Sequence, residues 1–178
     1  GIYSVEITDI NGCKDTDQVV LTVHNLPIAN LGADTAICFD ASPVTFDALN
    51  IGSDYLWQPN GETSKTITTN LAGEYILEVT NINGCKDTDS VVLVINALPL
   101  IDIGSDQEIC QIHPKINIDA GHPTATFLWS TSETTQVIST KIQNNYSVIV
   151  TDTNGCLGYD TMNLTVNPMP VVSIYDQE

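Results

Sequence analysis

Basic side chains are scarce. Five Lys and Arg stand against 22 Asp and Glu, a formal net charge of −17. No basic cluster is available to neutralise a phosphate backbone, which removes nucleic acid from the expected partners. The same charge opposes docking on an anionic bilayer. A run of about 18 apolar residues is also lacking, so membrane insertion is not expected. Helix-favouring Lys, Glu, Arg and Met are few while Thr, Val, Ile, Asn and Asp are abundant, and no stretch shows a helical period. That balance predicts an all-β protein. No signal peptide precedes Gly1, and the chain opens on Ile2-Tyr3-Ser4-Val5-Glu6-Ile7, which already alternates like the middle of a strand. A fresh apolar run, Val171-Val172-Ser173-Ile174-Tyr175, starts near the other end. Both ends therefore read as internal to a larger protein.

What is present is a repeat, carried by 178 residues with an apolar fraction of 42%, sufficient for packed cores. Tyr3, Tyr75 and Tyr146 correspond, at spacings of 72 and then 71 residues. So do Asn11-Gly12-Cys13, Asn83-Gly84-Cys85 and Asn154-Gly155-Cys156. Ile37-Cys38 matches Ile109-Cys110, Asp47-Ala48 matches Asp119-Ala120, and Leu56-Trp57 matches Leu128-Trp129. The slip of one residue falls after Trp57, where Pro59-Asn60-Gly61 is replaced by the shorter Thr131-Ser132, and so marks a loop.

Prolines in Asn25-Leu26-Pro27, Asn96-Ala97-Leu98-Pro99 and Asn167-Pro168-Met169-Pro170 suit connectors. They divide the chain into the last hairpin of a truncated repeat (1–25), two complete repeats (26–97 and 98–168) and the first strand of another (169–178). Within a repeat, Val44, Phe46 and Ala48 alternate with polar residues, as do Ile116, Ile118 and Ala120. The pattern recurs at Tyr75, Leu77 and Val79, at Tyr146, Val148 and Val150, and at Val91, Leu93 and Ile95 with Met162, Leu164 and Val166. Such alternation predicts half-buried strands. Tyr55 with Trp57, and Phe127 with Trp129, place paired aromatics on one face of what reads as a central strand. The expected fold is tandem small Ig-like β-sandwiches, six or seven strands in about 72 residues each, arranged end to end.

Five cysteines fit this scheme if each complete repeat owns two. The expected disulfides are Cys38 with Cys85 and Cys110 with Cys156, each clipping the end of a repeat's first strand to the turn of its last hairpin. Cys13 is left unpaired by truncation. Closing so long a loop contributes about 4 kcal/mol by chain entropy, and an oxidising, extracellular setting follows. Zinc is the competing use, but no two cysteines form the C-x-x-C pairs of a structural zinc site.

Asp9-Ile10-Asn11-Gly12 followed by Asp15 and Asp17 has the look of a calcium loop. Its copies lose ligands, Asn81 standing for the first Asp and Gly158 for Asp87. A hairpin turn with solvated acids is the preferred reading. His24, His113 and His122 do not recur between repeats and have no nucleophile beside them. No carboxylate pair sits in a catalytic signature, so neither a catalytic site nor a cofactor is expected. Trp57 and Trp129 read as core and not as sugar platforms.

The stretch from Leu31-Gly32-Ala33-Asp34-Thr35-Ala36-Ile37-Cys38 through Leu56-Trp57, Gly73-Glu74-Tyr75 and Asn83-Gly84-Cys85 to Ala97-Leu98-Pro99 resembles the Ig-like or PKD-like repeats of very large Bacteroidota surface proteins. These include gliding-motility adhesins exported by the type IX secretion system. Ile103-Gly104-Ser105-Asp106-Gln107-Glu108-Ile109-Cys110, Leu128-Trp129-Ser130-Thr131 and Tyr146-Ser147-Val148 carry the resemblance through the second repeat. It implies stalk or filament repeats at the cell surface, serving adhesion or gliding. The implied partners are neighbouring repeats, other copies in a filament, and a surface or glycan ligand held through other parts of the protein. It also implies O-glycans at Thr35, Ser90 and Thr161, within Asp34-Thr35-Ala36, Asp89-Ser90-Val91 and Asp160-Thr161-Met162. The alternative is a spacer or glycan-binding accessory module of a secreted multidomain enzyme.

Overall fold

The computed structural model describes residues 1–173, and these form strands and turns with no helix among them. β1 (Ile2–Thr8) and β2 (Lys14–Val20) make a two-stranded antiparallel sheet. The next six strands are β3 (Thr35–Cys38), β4 (Val44–Asp47), β5 (Asp54–Gln58), β6 (Thr66–Thr69), β7 (Gly73–Thr80) and β8 (Lys86–Asn96). They form a four-stranded sheet in the order β3-β8-β7-β5 and a two-stranded sheet of β4 with β6. The same plan repeats in β9 (Gln107–Cys110), β10 (Ile116–Asp119), β11 (Thr126–Trp129), β12 (Val137–Thr140), β13 (Asn144–Thr151) and β14 (Leu157–Asn167), with sheets β9-β14-β13-β11 and β10-β12. Tandem Ig-like β-sandwiches are therefore the fold. Of the run expected as a strand over 169–178, residues 169–173 are irregular and the remainder lies outside the described residues.

The chain divides into two compact units, Gly1–Thr35 with Pro43–Leu93, and Ala36–Ser42 with the chain from Val94 onward. In the first, Phe46, Trp57, Ile67, Tyr75, Leu77, Val79, Val91 and Leu93 fill the space between the sheets. In the second, Ile118, Phe127, Trp129, Ile138, Tyr146, Val148, Val150, Met162 and Leu164 do so. Strand alternation alone picks out nearly all of these, because period 2 turns every second side chain to the core. By contrast Tyr3, Val5 and Ile7 of β1 remain 58–63% exposed, although their counterparts in β7 are almost completely buried.

The expectation that Trp57 and Trp129 lie on central strands is corrected: β5 and β11 are edge strands. Their indoles are buried because the edge strand turns its apolar face inward, and each N–H finds a carbonyl, Ser64 O at 2.9 Å and Thr135 O at 2.8 Å. The slip in the repeat lies just after these tryptophans. The Trp57 backbone N–H donates to Glu62 O across one connection, and the Trp129 backbone N–H to Glu133 O across the other, which is one residue tighter.

Tyr75 and Tyr146 lock the corner before β7 and β13. Their hydroxyls donate to Leu71 O and Ile142 O, both at 2.8 Å, and meet Thr69 and Thr140 hydroxyls at 2.7 and 2.5 Å. This is the tyrosine corner of Ig-type sandwiches. Removing only the hydroxyl with Tyr146→Phe strands a partly buried carbonyl. It should cost about 1–2 kcal/mol, read as a lower urea midpoint at unchanged m-value.

A second recurring corner sits after β4 and β10. The Leu49 backbone N–H, with Lys65 beside it, holds the Asp47 carboxyl below its ordinary value of 3.8. The Gln136 amide and the Gly121 N–H do the same for Asp119. Folding favours the ionised form, so this stabilisation is complete above the unfolded carboxylate range and is lost as pH falls through the lower folded values. The urea midpoint should stay level down to about pH 5 and drop below about pH 4. Asp119→Asn should make that drop shallower.

Candidate functional site

Each last hairpin closes through a five-residue turn built the same way. Asn81 N–H donates to Cys85 O at 2.9 Å, and Gly84 N–H returns to Asn81 O at 2.9 Å. Gly84 has φ +77°, as Gly12 and Gly155 have +82°, while the preceding asparagines stay at negative φ. The single glycine thus supplies the left-handed residue that ends a three-residue hairpin loop. Asn81 Oδ1 accepts the N–H groups of Asn83 and Cys85, both at 3.0 Å. Asp9 accepts from Asn11 and Cys13, and Asp152 from Asn154 and Cys156, all at 2.8 Å. Asn and Asp interchange here because the turn needs an acceptor oxygen and not a charge.

The remaining acids of the calcium-like pattern bind backbone. Asp87 and Asp89 accept from Ala29 N–H (2.9 Å) and Leu31 N–H (2.7 Å), and Asp160 accepts from Ile103 N–H (2.8 Å). Asp34 and Asp106 return the contact by accepting from Val92 N–H (2.9 Å) and Asn163 N–H (2.8 Å). These carboxylates rivet the lead-in segment of a repeat to its last strand. Where Gly158 replaces Asp87, the segment comes closer still: a Cβ on Gly158 would stand 2.3 Å from Pro99 O. Leu98, Pro99, Leu100 and Ile101 lie against Leu157, Gly158 and Tyr159 around a shallow depression that Asp40 also lines.

The lead-in therefore starts beside the hairpin and runs along the last strand to its far end. β9 pairs parallel with β14, Gln107 opposite Leu164 and Cys110 opposite Asn167. This geometry overturns the expected disulfides. Phe39 N–H donates to Asn96 O at 2.9 Å, so Cys38 sits at the C-terminal end of β8, whereas Cys85 immediately precedes its N-terminal end. Eleven residues of strand separate them by roughly 35 Å, far beyond the reach of a disulfide. Cys110 and Cys156 are held apart by β14 in the same way.

The disulfide present is Cys38–Cys156, with a Cα separation of 5.5 Å, and it is internal to the second compact unit. It joins the first-strand cysteine of one repeat to the hairpin cysteine of the next. Cys13, Cys85 and Cys110 are thiols. The sequence does carry a sign of the parallel lead-in, namely the recurrence of Asp34 with Asp106 and of Asp89 with Asp160. Asp34, Asp89 and Asp160 also fall within the expected glycan motifs.

Of those glycan positions, Ser90 and Thr161 are exposed on the outer face of β8 and β14, and Thr35 is half-buried on β3. Their aspartates are the same backbone-binding Asp34, Asp89 and Asp160. His113 Nδ1 lies 2.9 Å from Pro114 O and His122 Nε2 2.9 Å from Leu100 O, so each ring is used locally.

No family model matches the chain, and no curated protein matches it. Solved structures similar to it include immunoglobulin domains 1–4 of Sidekick-1, at 15% identity over 94% of this chain and 58% of that chain, with a TM-score of 0.44. The titin I-band fragment I67–I69 is similar at 13% identity, 76% and 63% coverage and a TM-score of 0.46. A Ca2+-stabilised adhesin of an ice-binding Antarctic bacterium is similar at 14%, 96% and 57%, with 0.44. The chain spans less than two thirds of each.

Peptide mapping of the oxidised chain without reduction should recover Cys38 joined to Cys156, with Cys13, Cys85 and Cys110 alkylated as thiols. Pairing inside repeats would leave Cys13 alone. In the turn, Asp152→Asn should shift stability by no more than a few tenths of a kcal/mol, and Asp152→Ala should cost about 1–2 kcal/mol, measured by urea unfolding.

Proposed function

We propose that the chain is a mechanical segment of an extracellular stalk, in which successive Ig-like repeats carry an adhesive part of a larger surface protein away from the cell. The observation that carries this reading is the Cys38–Cys156 disulfide, which lies within the second compact unit and joins the first-strand cysteine of one sequence repeat to the hairpin cysteine of the next. Such a bond belongs to an oxidising compartment outside the cytosol. The net charge of −17 keeps neighbouring stalks from collapsing on one another.

With the resemblance to Bacteroidota repeats, the proposal narrows to a giant adhesin delivered by type IX secretion and used in adhesion or gliding. Neighbouring repeats and other copies in a filament are its partners, and Thr35, Ser90 and Thr161 are its O-glycan positions. A glycan-reading role would need an exposed aromatic platform at a repeated position. The exposed Phe39 and Tyr159 instead correspond to Gln111 and Thr88, which favours the structural role.

Single-molecule stretching of the whole chain from its two ends tests the reading. The disulfide closes a sequence separation of 118 residues, a hidden length of roughly 400 Å at about 3.5 Å per residue. The oxidised chain should release that much less contour than the reduced chain. Equal release in the two states would show that the bond does not form in the oxidised chain and would remove the mechanical role.

A further inference from the structure

From the equivalence of bonded and unbonded cysteines we infer a covalent partner for Cys110: the hairpin cysteine of a following repeat of the same kind. By the same rule, Cys85 pairs with the first-strand cysteine of a preceding repeat. The inference rests on the reading of the chain as tandem stalk repeats, and extends it from one disulfide to a staggered series, each joining repeat n to repeat n+1.

Two local frames carry it. At the strand end, Cys38 is fixed by Phe39 N–H on Asn96 O (2.9 Å) and by Ala41 N–H on its own carbonyl (3.0 Å). Cys110 has the same pair of bonds, Gln111 N–H to Asn167 O and His113 N–H to Cys110 O, both at 2.8 Å. At the hairpin, Cys85 and Cys156 occupy the same fifth position of the same turn, their N–H groups capped by Asn81 and Asp152. One member of each equivalent pair, Cys38 and Cys156, is already bonded to the other.

The chain that leaves the strand end also matches. Asn96-Ala97-Leu98-Pro99 leads from β8 to the hairpin that offers Cys156, and Asn167-Pro168-Met169-Pro170 leaves β14 in the same phase. Hairpin cysteine and next first-strand cysteine keep one spacing, Cys13 to Cys38 and Cys85 to Cys110 both being 25 residues. Exposure follows bonding. Cys110 is exposed where Cys38 is half-buried, and Cys85 is half-buried where Cys156 is fully buried. Within one repeat the first-strand and hairpin cysteines stand about 35 Å apart, so neither can be the other's partner.

In forming such a bond the two S–H groups lose their protons and a pair of electrons passes to an external disulfide oxidant such as oxidised glutathione. One Sγ–Sγ bond forms, the oxidant's disulfide breaks, and two oxidant thiols are released.

The sequence itself offers a junction for the test, since Asp106-Gln107-Glu108 and Asp176-Gln177-Glu178 are identical. The whole chain is extended after Glu178 by a second copy of residues 109–167, refolded in a glutathione redox buffer and mapped without reduction. The expected result is Cys110 joined to the copied Cys156, with Cys38 still joined to the original Cys156 and the copied Cys110 left as a thiol. A Cys110→Ser variant should lose only the new bond and keep the cooperative unfolding of both units. If the added repeat resists proteolysis yet Cys110 is recovered as a thiol or bonded elsewhere, the stagger is wrong. That result leaves the contour-length difference of the original chain, and the stalk reading with it, untouched.

Discussion

The parallel pairing of a repeat's first strand with its last strand is the constraint on which the rest depends. A hairpin-type neighbour would bring the end of the first strand back to the turn, but a parallel one carries it to the opposite end of the sheet. β9 lies parallel to β14, and Cys110 consequently ends beside Asn167 and not beside Cys156. The backbone of the lead-in must also find partners before regular pairing begins, since an unpaired buried N–H is costly. Asp87, Asp89 and Asp160 meet that need with carboxylate oxygens, and Asp34 and Asp106 on the lead-in accept in turn from N–H groups of the last strand. The acidity of the chain is thus partly structural, with side chains substituting for a ladder that the irregular lead-in does not form.

Much of the fold was legible because it depends on local chemistry. Alternation at Tyr75-Leu77-Val79 and Val91-Leu93 located the core, since the side-chain period of a strand is fixed by the backbone and these residues are buried. Asn83-Gly84 located the hairpin because a left-handed residue was required there. The position of Trp57 within its sheet was not legible, because an edge strand backed by a packed face alternates like a central one. Strand direction was hidden for a related reason: Val, Thr and Ile have the same periodicity in parallel and antiparallel ladders, and direction decided the disulfides. The choice between Cys85 and Cys156 as the partner of Cys38 turns on which end of an eleven-residue strand is near, a non-local fact that no spacing encodes.

Staggered pairing changes how tension travels. Tension reaching Cys38 crosses the disulfide to Cys156 and bypasses the backbone between them, including all of β4 to β13. In a series built by this rule it then follows the backbone from the hairpin cysteine to the next first-strand cysteine, the 25-residue spacing seen from Cys13 to Cys38 and from Cys85 to Cys110. There the next disulfide takes it. Pairing inside each repeat would put such a stretch under tension once per repeat. The stagger does so once every two repeats, because every bond skips a hairpin.

That stretch is also firmly held in the sandwich. It begins with β14, which is bonded along eight register positions to β13 on one side and along four to β9 on the other. Tension enters β14 at Cys156 and leaves beyond Asn167, so it acts along the strand and loads the ladder bonds together instead of opening them one at a time. The core side chains Met162 and Leu164 must leave their buried positions in the same step. In the proposed stalk the parallel first strand would serve twice: it sends the cysteine to the end where the next repeat begins, and it grips from one side the strand through which the remaining tension would run.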